Sequence, residues 1–122
     1  MRESSILKRI LLRCSRGTTR LWRNNVGQYR DHAGNWIRYG VKNPGGSDLI
    51  GWTQLIIKQE HIGRTVAVFT AVEVKRPGKD VLLVQQRFGD MVSDAGGLFG
   101  VAHSADEAEQ ILKGVDNIGH IE

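Results

Sequence analysis

The chain's 122 residues suffice for one modest core and not for two, so a single domain over residues 1–122 is expected, and 40% hydrophobic with 25% charged residues excludes a disordered chain. A formal net charge of +4, with Arg2, Lys8, Arg9, Arg13, Arg16, Arg20, Arg23, Arg30, Arg38 and Lys42 all before residue 43, is the electrostatic footprint of a phosphate-backbone binder. The lone cysteine, Cys14, excludes an intrachain disulfide and a thiolate metal cluster and fits a reducing, intracellular, cytoplasmic setting, while the charges interrupting MRESSILKRILLRC exclude a signal peptide and a membrane span.

Glu3, Leu7, Ile10 and Cys14 fall at spacings of 4, 3 and 4, with Ile6 and Leu11 beside them, which predicts an amphipathic helix over Glu3–Cys14 with Cys14 in the core. SRGTT then reads as a loop. TRLWRNN and NWIRYG read as short strands around a turn region rich in Gly and Asn. NPGG breaks the chain, SDLIGWTQLII reads as a strand running to a turn near KQEHIG, and Arg64 to Lys75 reads as the return strand. A hairpin centred near His61 pairs residues whose numbers sum to about 122, which sets Asp48 beside Glu73 and Val74.

RPGKD breaks the chain again. Val81, Val84, Phe88, Met91, Val92 and Ala95 follow helical spacing, with Gln85 inside the stripe and Gly96-Gly97 ending the helix. LFGVA, residues 98–102, reads as a buried strand, and strand, helix, strand implies a right-handed crossover between parallel strands. Ser104 and Glu107 make a capping box for a last helix through Ala108, Ile111 and Leu112 to Gly114. The expected class is α/β: helix, three or four antiparallel strands, helix, strand, helix.

FTAVEVK, residues 69–75, alternates so that Glu73 and Lys75 share one face while Val72 and Val74 share the other. Phosphodiester hydrolysis needs a Lewis acid on the phosphoryl oxygens and an activated water, both of which a bound Mg²⁺ supplies. Magnesium takes hard oxygen ligands, so Asp48, Glu73 and the main-chain carbonyl of Val74 are the candidate metal ligands, and Lys75 is placed to orient water and offset charge. An acid two residues before a lysine arises by chance about once in a chain this long, so context carries the weight. Arg20, Arg23, Arg38 and Lys42 are the candidate phosphate contacts. His32, His61, His103 and His120 show no metal-ligand spacing and read as surface or turn residues; Trp22, Trp36 and Trp52 are candidates for stacking on exposed bases, with core or subunit packing expected for most of them.

RNNVG (residues 23–27), GGSD (45–48), EVK (73–75), QQRF (85–88) and AGGLFGVAHSADEA (95–108) resemble the VRR-NUC domain of the PD-(D/E)XK nuclease superfamily, over about residues 3–113, in its short stand-alone phage and bacterial form. The resemblance implies a restriction-endonuclease-like core, a mixed central sheet flanked by helices. It also implies a structure-specific DNA endonuclease dependent on Mg²⁺ or Mn²⁺, acting as a homodimer on branched DNA such as four-way junctions. By the same resemblance Asp48 and Glu73 become metal ligands, Lys75 the catalytic lysine, Gln85 a site residue and Glu3 an outer metal or water contact. Read from the residues alone, Glu3 complements the helix dipole and Gln85 finds a backbone partner. The family's Gly-x-Pro-Asp is here Gly45-Gly46-Ser47-Asp48, which gives up proline's rigidity and keeps the acid. Two other readings stand beside this one: a non-catalytic basic DNA-binding module that keeps the fold, and a nuclease without junction preference.

Overall fold

The periodicity at the start of the chain is realised as α1 (Glu3–Cys14), the bounds the spacing predicts. The computed structural model describes residues 2–41 and 45–119; Lys42, Asn43, Pro44 and His120 lie outside them. The chain forms two compact units, Met1–Thr53 and Gln54–Glu122.

In the first unit α1 is followed by β1 (Thr19–Arg23), β2 (Gly27–Arg30), β3 (Trp36–Tyr39) and β4 (Leu49–Thr53). β1 pairs antiparallel with β4 from Thr19↔Thr53 to Arg23↔Leu49, and the Trp22 and Trp52 rings meet edge to face at 5.0 Å. β2 and β3 form a hairpin from Gly27↔Tyr39 to Arg30↔Trp36. Its turn is held by Asp31, whose Oδ1 accepts from the N–H groups of Ala33 and Asn35. β2 falls in the region expected to be only a turn. α1 packs against β1, and Leu7 and Leu11 are its half-buried line. Cys14 is exposed, as are Ile6 and Ile10, which corrects the expected stripe: a helix laid on one five-residue strand covers one narrow line, not a full face.

The second unit opens with a 3₁₀ turn, Gln59–His61, and continues with β5 (Thr70–Val74), α2 (Leu83–Asp94), β6 (Leu98–Ala102), α3 (Ala105–Lys113) and a second 3₁₀ turn, Gly114–Asn117. β5 and β6 are parallel from Thr70↔Leu98 to Val74↔Ala102, the crossover expected around α2. Neighbouring strand residues face opposite ways. A Cβ on Gly89 would collide with the Phe99 ring, and one on Gly100 would collide with Ile111, so α2 and α3 cover opposite faces of the β5–β6 pair. Val92 and Ala102 are the fully buried apolar residues of this packing. The α/β class stands, but among the described residues the strands pair as three two-stranded sheets, β1–β4 and β2–β3 antiparallel and β5–β6 parallel, and not as the one mixed central sheet expected.

Two details differ from the sequence reading. The long hairpin expected to bring Asp48 beside Glu73 does not form as a ladder: β4 pairs with β1, and β5 pairs with β6. Strand structure stops at Thr53 and resumes at Thr70; the turn expected near KQEHIG is present as the 3₁₀ turn Gln59–His61, where His61 Nδ1 accepts the Lys58 N–H, but Ile56, Ile57 and Ile62 on either side of it are exposed. The buried line of α2 runs through Gln85, Gly89 and Val92, while Val84 is 68% exposed. An apolar count passes over glycine and glutamine, so it sets the stripe one residue off. Among the described residues no helix is long and apolar enough to cross a membrane.

Candidate active site

Strand alternation puts Glu73 and Lys75 on one face of β5, and both are partly covered, at 30% and 20% side-chain exposure. Lys75 Nζ stands 4.0 Å from Glu73 Oε1, and Gln85 Nε2 donates to the same oxygen at 2.9 Å. Gln85 is placed by the start of α2. Its Oε1 accepts the Leu82 N–H at 2.9 Å, the reach-back of a capping-box glutamine. Because that bond uses the amide oxygen, the NH₂ end must face Glu73. Gln85 therefore has the backbone partner expected of a buried amide and, through its NH₂, a bond to the candidate ligand Glu73.

The main chain adds a third oxygen. Lys75 N donates to Ala102 O and Phe69 O accepts from Leu98 N, so the odd-numbered residues of β5 bond to β6. The Val74 carbonyl, one residue out of phase, is directed away from β6.

In the first unit Asp48 follows a glycine loop and is exposed on the wall of a cavity of about 710 Å³, with Arg23, Asn25 and Tyr39 among the lining residues. Asn24 holds this loop. Its Nδ2 donates to Val41 O at 2.9 Å and Ser47 O at 3.0 Å, its Oδ1 accepts Val41 N–H, and its own N–H donates to Asp48 O at 2.8 Å. Gly46 lies so close to Val41 O that a Cβ there would overlap it. Side-chain bonds from Asn24 thus restrain the loop in which serine replaces the expected proline. Sequence reasoning gave Asn24 no role; a carboxamide with three hydrogen bonds was visible only as part of RNNVG.

A family model, the VRR-NUC domain, matches residues 1–106. The chain belongs to the VRR-NUC family. No curated protein and no solved structure matches it. VRR-NUC is a PD-(D/E)XK-type nuclease domain, so this chain is a nuclease-type, DNA-processing hydrolase, and such domains generally use divalent metals.

The residues that the sequence marks as candidates divide between the two units. Glu73, Lys75 and Gln85 are brought together in the second. Asp48 lies in the first, as does Glu3, which is exposed in the first turn of α1. Arg20 uses its Nη1 on the carbonyls of Gly17 and Thr19, both at 2.8 Å, whereas Arg23 and Arg38 are exposed. Among the described residues no group of three or more His, Cys, Asp or Glu is gathered. The donors that a VRR-NUC ion would use are carboxylate and carbonyl oxygens, which suit a hard cation that keeps several waters. His103, expected as a surface or turn residue, is partly exposed in the bend after β6. Its ring joins Glu107, at 2.9 Å, to Lys79 O, at 2.9 Å, in the segment between Lys75 and Gln85.

Proposed function

We propose that this VRR-NUC chain is an endonuclease that hydrolyses phosphodiester bonds of branched DNA with Mg²⁺ or Mn²⁺, acting as a homodimer. The observation that carries the reading is the meeting of Gln85 and Lys75 on one oxygen of Glu73. A glutamate that needed only a surface ion pair would not also take a carboxamide from a neighbouring helix. Glu73 and the Val74 carbonyl are the assigned ligands on β5, and Asp48 is carried over as the second carboxylate. When bound, the cation supplies Lewis acidity at the phosphoryl oxygen and lowers the pKa of a water.

The chain's own residues supply the rest. Gln85 fixes the rotamer of Glu73 and leaves its second carboxylate oxygen for a ligand. The Lys75 ammonium donates to the attacking water or to a phosphoryl oxygen and offsets the negative charge that grows there. Glu3 serves as an outer contact for water. Two copies related by a two-fold axis present two such sites, which suits paired cuts across a branch point.

Labelled four-way junction, flap, linear duplex and single strand, each incubated with and without Mg²⁺ and Mn²⁺, test this. Cutting of the branched substrates only with metal is expected. Tight binding with no cutting under any metal would leave the non-catalytic module standing, and equal cutting of linear duplex would remove the preference for branches.

A further inference from the structure

The register of the β2–β3 hairpin sorts its side chains onto two faces. Tyr29, Ile37 and Tyr39 lie on one, and Gln28, Arg30, Trp36 and Arg38 on the other. All four members of the second face are exposed. Arg30 Cζ stands 5.0 Å over the Trp36 ring, which orders the guanidinium yet leaves Trp36 57% exposed. Arg30 and Arg38 belong to none of the ion pairs found among the described residues. The hairpin's own acid, Asp31, is committed to the turn. Among the described residues, the face therefore presents two guanidiniums outside any ion pair and a largely exposed indole on a two-stranded ribbon.

We propose that this hairpin face, built from residues other than those assigned to cutting, is a DNA-binding surface that takes DNA carrying an unstacked base beside a duplex. Arg30 and Arg38 neutralise backbone phosphates, and Trp36 stacks on the exposed base. Charge decides the partner class: two fixed cations without counter-charges fit a polyanion, and the apolar side chains that would suit a protein partner lie on the opposite face. The inference rests on the DNA-processing reading of the chain. It gives that reading a location, on the hairpin whose Tyr39 also lines the Asp48 cavity.

Binding in EDTA, where the proposed metal-dependent chemistry is expected to be silent, tests the surface of this chain without reference to cleavage. The probes are a duplex with a single-stranded overhang and the matching blunt duplex, titrated by fluorescence anisotropy over a range of salt. Arg30→Gln/Arg38→Gln should lose about tenfold or more in affinity for both and make the slope of log affinity against log salt shallower by about 2, one unit for each phosphate contact. Trp36→Leu should lose the preference for the overhang and keep the slope. Circular dichroism checks the fold, and Arg30→Lys/Arg38→Lys should recover the salt slope. Unchanged affinity and slope in the glutamine variant would overturn the proposal, as would a change in sedimentation with DNA affinity unaltered, which would mark a contact between copies. A wild-type protein that cuts nothing yet binds through this face would sink the nuclease mechanism and uphold the surface. One that cuts while binding independently of the hairpin would do the reverse.

Discussion

One side chain, Gln85, serves two neighbours, and substitutions can separate the two services. Gln85→Glu keeps an oxygen for the Leu82 N–H but sets a second carboxylate against Glu73, whereas Gln85→Ala removes both contacts. The glutamate variant is therefore expected to keep its cap while cleavage falls by about tenfold or more, since like charges at hydrogen-bonding distance disfavour the arrangement. The alanine variant should lose about 1 kcal/mol of stability as well. Denaturant midpoints read beside single-turnover rates would check this, and a glutamate variant that cuts normally would reduce Gln85 to a helix cap. Lys75 separates differently. Lys75→Ala and Lys75→Arg should both lose most of the rate while calorimetry shows metal affinity nearly unchanged, because a planar guanidinium does not reproduce a compact ammonium 4.0 Å from Glu73.

At the scale of elements, what the sequence made legible follows from which signals are local. α1, β6 and the start of α3 were readable because periodicity, glycine punctuation and the Ser104 cap act within a few residues; Ser104 does accept the Glu107 N–H, at 3.1 Å. The partner of β4 was not readable, because apolar alternation says that a strand forms and not which strand it meets. Asp48, Glu73, Lys75 and Gln85 were named from their motifs, but the bonds of Gln85 and Asn24 depend on helix and loop placement. The box at α3 also closes one residue early: Glu107 Oε2 accepts the His103 N–H instead of the Ser104 N–H. That shift brings the His103 ring between Glu107 and Lys79 O, and only an imidazolium can donate to both. The Lys79 carbonyl, then Glu107, with a smaller pull from Asp80, raises the His103 pKa above 6.5, and bonds from His103 lower that of Glu107 below 4.5. The histidine's contribution is complete below pH 6.5 and is lost as pH rises through the raised value. The glutamate's is complete above pH 4.5 and is lost as pH falls through the lowered one. Amide exchange in residues 76–82 should therefore be most protected, relative to the unfolded chain's intrinsic rate, between those limits. His103→Ala should flatten that profile, and an unchanged profile would show that the ring does not tie the segment to α3.

For the whole molecule, the proposed reading assigns phosphate binding and cutting to different residues, so salt and chelator should act separately. Raising salt should weaken DNA binding steeply in EDTA, and adding EDTA at fixed salt should stop cleavage while binding remains. Asp48 and Glu73 come one from each compact unit of the chain, so the proposal that they share a purpose needs its own test. If both carboxylates serve one ion, either substitution alone removes what the two hold together, and the double variant has little left to lose. Asp48→Ala and Glu73→Ala should each reduce single-turnover cleavage by several orders of magnitude, and Asp48→Ala/Glu73→Ala should fall no further, as for residues that act as a unit. Calorimetry with Mn²⁺ should show the same pattern, with each single variant and the double equally poor in metal binding. Independent losses that multiply in rate and add in binding free energy would mean that Asp48 works apart from Glu73. The acid after the glycine loop would then belong to the cavity it lines, and β5 would need another partner for its glutamate.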